Sequence, residues 1–294
     1  MNGSESTRRF DGVLLDVEGV LLTSFVAVPG AARAVSELRR LGYEVRFVTN
    51  LTSTSAARIA AALVHAGIEV RAGELFTAAA VTAAYLREHH PDARCLLLND
   101  GGNDELAGMR MADPDDATAD VVVVGGGGPS FGWKQMNVAL NCLLGGAELV
   151  AMHGAPLWRT PDGYCLDGGA YARMLEEASG VPAIVTGKPA AHMFTAAASS
   201  IGAPNERLVM VGDDLVNDVL AAQALGIVGV QVRTGKFRQQ DLDRSDTGPD
   251  HVVDSITDLP DLLTLARVPE PGSTVGVAVG GWACPRKVPP GLGS

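Results

Sequence analysis

Gly12–Val20 reads GVLLDVEGV. An apolar run from Gly12 to Leu15 breaks at Asp16, and one residue later come a second acid, Glu18, and then Gly19. In an open parallel sheet, ligands lie just beyond the carboxyl ends of the strands, so an acid that closes a buried strand is placed for chemistry. Three later stretches repeat the form. Val45–Val48 (VRFV) runs into Thr49 and Asn50, Ala183–Val185 (AIV) into Thr186, Gly187 and Lys188, and Leu208–Val211 (LVMV) into Gly212, Asp213 and Asp214. Lying side by side, the four strands would deliver a carboxylate pair, a hydroxyl, an ammonium and an acidic cluster to one edge.

That inventory suits phosphoryl transfer through a covalent intermediate. A carboxylate attacks phosphorus, a divalent cation held by other carboxylates offsets the repulsion between anions, and a lysine and a hydroxyl bind the remaining oxygens. Asp213, Asp214 and Asp218 are the strongest local signal, since magnesium prefers carboxylate oxygens and retained waters. On a helix starting near Leu215, Asp214 and Asp218 fall on one side. Acids also cap helix N-termini, but three beside one strand end exceed what a cap needs. Lysines are mostly solvated; Lys188, after a buried strand and pinned between Gly187 and Pro189, is read as a cation of the site.

The four motifs, in this order, resemble those of the haloacid dehalogenase superfamily, most of whose members are phosphatases. The resemblance runs from about Phe10 to about Leu265 and is closest to the subclass with an α/β cap inserted between the second and third motifs. The region Val211–Arg238 (VGDDLVNDVLAAQALGIVGVQVRTGKFR) is similar to that of phosphatases in that subclass. The resemblance implies Asp16 as nucleophile and Glu18 as general acid and base, with its backbone carbonyl a metal ligand. It also implies Thr49, Asn50 and Lys188 on the phosphoryl group or its surroundings, and Mg²⁺ held by Asp16, Glu18, Asp213, Asp214 and Asp218. Small phosphorylated metabolites, phosphoamides or pyrophosphate are the implied substrates, and a homodimer through the cap is compatible with it. Most family phosphatases carry Asp where this chain has Glu18. Two alternatives follow: a carbon-attacking hydrolase such as a dehalogenase, disfavoured by the acidic cluster, and a binding or regulatory protein with little turnover because of Glu18.

The rest of the chain fits an α/β protein, a three-layer Rossmann-like core with a mostly parallel sheet and an inserted α/β cap. Short apolar runs alternate with amphipathic stretches such as Gly30–Leu41, which predicts crossover connections. From about Arg94 the pattern restarts, with strands at Arg94–Leu98, Val121–Val124 and Glu148–Met152 and a helix near Gly132–Leu144. Hence a core over 10–76 and 183–267 and a cap over 77–182 are expected, with Ala183–Val185 returning to the core and Pro189 opening the next helix. Gly125–Gly128 reads as a cap turn that lets backbone approach the substrate, since no Lys-Ser or Lys-Thr follows. Trp133, Asn137, Trp158, Arg159 and Asp167 are cap residues that could touch substrate. His153 and His192 read as surface or helix-end residues. Beyond Val268 the Pro- and Gly-rich composition predicts a flexible tail, 268–294.

At 294 residues, two domains are the prior. A net charge of −11 argues against a nucleic-acid or anionic-membrane surface. The four cysteines form no Cys-x-x-Cys pair, as expected of reduced thiols in a cytoplasm. The polar first ten residues do not read as a signal peptide. No stretch approaches the roughly 18 apolar residues of a membrane span.

Overall fold

The computed structural model describes residues 9–101, 103–115, 118–128, 131–160 and 163–265, with only the backbone of Arg159 and Thr160. The expected tail beyond Val268 lies outside the described residues. Six parallel strands form the first sheet, in the order His251–Val253, Val228–Val232, Leu208–Gly212, Gly12–Asp16, Glu44–Thr49 and Leu75–Thr77. The chain leaves Gly12–Asp16 toward Glu44–Thr49 and later returns on its other side as Leu208–Gly212. The order therefore reverses beside Asp16, where a crevice opens at the carboxyl ends.

A second sheet has the order Ala183–Val185, Glu148–Ala151, Val121–Val124, Arg94–Leu98 and Arg110–Met111, again all parallel. Ala183–Val185 thus corrects the sequence reading. It pairs with Glu148–Ala151 as the edge of the second sheet instead of joining the first. Three apolar residues suit either sheet, and only the long-range pairing decides between them.

Because successive strand residues face opposite ways, each sheet contributes to two apolar layers. Val13, Leu15, Phe47, Val209 and Val211 pack on one side against Val35 and Leu38 of helix Ala31–Arg40, Ile59 and Leu63 of helix Ala56–His65, and Leu263 of helix Leu259–Leu265. On the other side Leu14, Val48, Leu208 and Met210 meet Ala79, Ala83 and Leu86 of helix Ala78–His89 and Phe194 and Ala197 of helix Ala191–Ile201. The same layer takes in Cys95, Val121, Val123 and Val150 from the second sheet, so these helices lie sandwiched between the two sheets. Val122, Val124 and Leu149 face away and are covered by helices Trp133–Leu144 and Gly168–Ser179. The two sheets therefore share a continuous hydrophobic layer. Helix Ala78–His89, capped by the Thr77 hydroxyl at Ala80 N (3.1 Å), serves both.

Two hairpins were not legible in the sequence. Leu22–Thr23 pairs with Val26–Ala27 beside the crevice, and Leu157–Thr160 pairs with Gly163–Leu166 ahead of helix Gly168–Ser179. Pro189 precedes its helix by two residues and does not sit in its first turn, since Ala190 is still extended.

Candidate active site

The crevice is a cleft of about 690 Å³ lined by residues that follow the strands of both sheets. Asp16, the last residue of its strand, is buried at the floor. The Lys188 ammonium donates to Asp16 Oδ1 at 2.6 Å and to the Val48 carbonyl at 3.3 Å, and stands 2.7 Å from Asp218 Oδ1. Its three protons are thereby committed. Lys188 arrives from the second sheet, and Asn50 ties it to the first. The Asn50 amide donates to the Lys188 carbonyl (2.9 Å) and its Oδ1 accepts the Lys188 N–H (3.0 Å). Asn50 thus positions the lysine loop. The buried Thr49 hydroxyl accepts the Leu51 N–H (3.1 Å), which leaves its own proton for an oxygen in the cleft.

Asp16, Asp213 and Asp218 each bring an oxygen within 4.8 Å of the others, all three side chains buried. Asp213 Oδ2 accepts the Lys236 N–H at 2.7 Å, whereas its buried Oδ1 has no hydrogen-bond partner among the described residues. Gly19 and Gly235, at φ 84° and 64°, permit this crowding, because a Cβ on either would lie within about 2 Å of Asp213 Oδ2. Burial, then the Asp16 charge, raises the Asp213 pKa well above the carboxylate range. Asp218 is pushed up to about 7 by burial, with Lys188 opposing and Asp16 and Asp214 adding. Burial lowers the pKa of Lys188, but Asp16 and Asp218 outweigh it and hold the ammonium charged. Three buried carboxylates share one sealed ammonium, and Asp213 Oδ1 has no donor among the described residues. A divalent cation fits this set of hard oxygen donors.

Asp214, read as a metal ligand, does not join the cluster. Its Oδ1 accepts the Val216 and Asn217 N–H groups (3.2 and 3.0 Å) and its Oδ2 the Asn217 amide (2.8 Å), so the carboxylate caps the turn that carries Asp218. The free N–H groups of that turn outcompete the site for it. The Glu18 carboxylate also stands apart from the cluster. It lines the cleft and accepts the Ser24 N–H at 2.7 Å, holding the hairpin tip where Ser24 and Phe25 take φ 49° and 64°. Burial raises the Glu18 pKa, with the Ser24 N–H and Lys236 opposing.

From the segment expected to form the cap, Gly126, Gly127, Trp158 and Asp167 reach the cleft; Asp167 also caps helix Gly168–Ser179 at Gly168 N (2.8 Å). Trp133 is not among the lining residues and is 83% exposed, and Asn137 turns its amide back to the Trp133 carbonyl. The Arg159 side chain lies outside the described residues. His153 is buried 3.5 Å from Asp167 Oδ1, where the sequence suggested surface, because it follows strand Glu148–Ala151 into the interior between the sheets' ends. Lys236 lines the cleft and was missed. The strand-end rule applied to Val228–Val232 points to it, since Thr234, Gly235 and Lys236 follow that strand as Thr186, Gly187 and Lys188 follow theirs.

The family described as Haloacid dehalogenase-like hydrolase matches residues 13–110, and the one described as HAD-hydrolase-like matches residues 185–259. The human protein named phospholysine phosphohistidine inorganic pyrophosphate phosphatase is 35% identical over 258 residues, which cover 86% of this chain and 93% of that protein. The bovine haloacid dehalogenase-like hydrolase domain-containing protein 2 is 35% identical over 85% of this chain and 98% of its own. Among solved structures, a p-nitrophenyl phosphatase from Archaeoglobus fulgidus superposes with a TM-score of 0.79 at 28% identity, covering 86% of this chain and 99% of that one. With relatives matched over nearly their whole length and the strand-end residues gathered at one crevice, the chain belongs to the haloacid dehalogenase-like hydrolases.

Proposed function

We propose that the protein is a magnesium-dependent phosphatase acting through an aspartyl-phosphate at Asp16 on a small phosphorylated metabolite, phosphoamide or pyrophosphate. The carrying observation is the buried floor of the cleft, where Asp16 meets Lys188 and the Asp213–Asp218 carboxylates around one unpartnered oxygen. Relatives named as phosphatases of phosphoamides, pyrophosphate and p-nitrophenyl phosphate support the same reaction.

In this reading the Asp16 carboxylate attacks phosphorus, forming the acyl-phosphate bond as the bond to the leaving group breaks. The Thr49 hydroxyl holds one phosphoryl oxygen, Lys188 turns the proton it gives the Val48 carbonyl toward another, and Asn50 keeps Lys188 in place. Glu18 gives its proton to the departing atom and then takes one from the water that hydrolyses the aspartyl-phosphate. Its raised proton affinity suits the first step, which favours this reading over a non-catalytic binding or regulatory protein. Asp16, Asp213, Asp218 and the Glu18 carbonyl would hold Mg²⁺, with Asp214 supporting the turn. When bound, the ion offsets the repulsion between the carboxylate and the phosphoryl group.

We also infer a division into a core of 10–76 and 183–267 and a cap of 77–182 that selects substrate, with the strand Ala183–Val185 lent to the cap's sheet. Leu157, Trp158, Tyr164 and Leu166 expose apolar surface on the cap hairpin, which supports a homodimer through the cap. Among the described residues Cys95, Cys142 and Cys165 form no disulfide, and a cytoplasmic location belongs to the same reading. A turnover screen across phosphate esters, phosphoamides and pyrophosphate, with and without Mg²⁺, tests the reaction. Turnover that vanishes with chelator supports it; undiminished turnover in excess chelator overturns it.

A further inference from the structure

Among the residues lining the cleft, Lys188 and Lys236 supply the ammonium groups, and they are not equivalent. Lys188 is sealed in the floor with its protons on Asp16, Asp218 and the Val48 carbonyl. Lys236 keeps about a third of its side chain exposed to the cleft, and its nearest carboxylate oxygen, Asp214 Oδ2, is 3.9 Å away, beyond hydrogen-bond reach. Nothing among the described residues takes the protons of its ammonium. Its position is nonetheless fixed. The Lys236 N–H is bound to Asp213, Gly235 before it packs against Gly19, and the Thr234 hydroxyl donates to the Gly19 carbonyl. The ammonium therefore projects from a loop packed against Gly19, the residue after Glu18, and lines the same cleft as Glu18.

Glu18 marks the side of the cleft where the leaving group departs. An ammonium on that side without a hydrogen-bond partner is not needed to hold the transferred phosphoryl group, a task the reading above gives to Lys188 and Thr49. Its chemistry matches a second negative charge on the substrate, beyond the bond that breaks. Resting on the phosphatase reading above, we propose that Lys236 is a specificity-determining residue that binds an anionic leaving group, such as the second phosphoryl group of a diphosphate, and so favours such substrates over esters with neutral leaving groups.

The test uses the full chain with saturating Mg²⁺ and two phosphonates that cannot be hydrolysed at the P–C bond. Methylenediphosphonate carries the second anionic group, and benzylphosphonate replaces it with a neutral ring. Lys236→Met keeps the backbone N–H to Asp213 and removes only the charge. Calorimetry should show methylenediphosphonate binding weakened roughly 10- to 100-fold in this variant, the scale of one charge-assisted hydrogen bond, with benzylphosphonate changed less than about threefold. Lys236→Arg should restore most of the diphosphonate affinity. Equal weakening for both ligands would mean that Lys236 serves only to balance the acidic cluster, and unchanged affinity for both would make it a bystander; either overturns the proposal. Wild-type turnover of p-nitrophenyl phosphate tests the phosphatase reading separately, so the two can fail independently.

Discussion

Lys188 Nζ lies 2.6 Å from Asp16 Oδ1, although the two residues come from different sheets and are 172 positions apart. The contact bridges the two sheets, because Lys188 follows the edge strand of the second and Asp16 ends a central strand of the first. The site is therefore assembled only when the Thr186–Pro189 loop is docked against Asn50.

Replacing Lys188 should damage fold and chemistry together. In Lys188→Met, Asp16 and Asp218 lose their shared counter-charge in a buried place, a loss of roughly 3–5 kcal/mol for a broken buried ion pair. Urea unfolding of the metal-free protein measures it. Added Mg²⁺ should recover part of this stability but no turnover, since the phosphoryl group lacks its ammonium.

Glu18→Gln keeps the size of the side chain and removes the transferable proton. Turnover should fall roughly 10²- to 10⁴-fold, the scale of a positioned general acid/base. Metal affinity, followed by calorimetry, should stay nearly unchanged, because the ligand proposed at this position is the backbone carbonyl. A Gln variant at full turnover on a poor leaving group would make Glu18 a spectator and favour the regulatory reading.

Metal binding and pH should be linked. Asp213 and Asp218 keep their protons in the folded, metal-free protein to higher pH than in the unfolded chain, Asp218 to about 7. Between about pH 4, where unfolded aspartates titrate, and pH 7, the folded state holds more protons than the unfolded one. Stability of the metal-free protein should therefore fall as pH rises through that window. Magnesium competes with those protons, so its affinity should rise over the same window. Thermal unfolding at pH 5 and 7.5, with and without Mg²⁺, measures both: the gap between the two curves should widen at the higher pH.

Much of this site was legible because buried strands announce themselves as apolar runs and their ends as abrupt polarity. Asp16, Thr49, Asn50, Lys188, Asp213 and Asp218 all meet at the cleft floor or on the loop that fixes it. What was not legible depends on long-range choices. Ala183–Val185 is too short to declare its sheet, and Asp214 differs from its neighbours only in which N–H groups reach it first. His153 and Lys236 carried no local signal stronger than their position after a strand.

The cap is expected to select substrate. Trp158 lines the cleft and remains 41% exposed, a placement suited to contact with a leaving group. Trp158→Ala should change the ranking of substrates by kcat/KM severalfold while p-nitrophenyl phosphate hydrolysis stays within about threefold. Equal losses on every substrate would assign Trp158 to the fold instead.

The most direct test of the account is whether the phosphoryl group passes through Asp16. The enzyme turning over pyrophosphate or p-nitrophenyl phosphate with Mg²⁺ is quenched in acid, and the acyl-phosphate is trapped by borohydride. Mass spectrometry then reads the peptide that contains Gly12–Val20. The account predicts Asp16 reduced to homoserine in the wild type, and neither that product nor turnover in Asp16→Asn, which should unfold near the wild-type temperature. Sustained turnover by the Asn variant, or wild-type turnover with Asp16 never reduced, would contradict it.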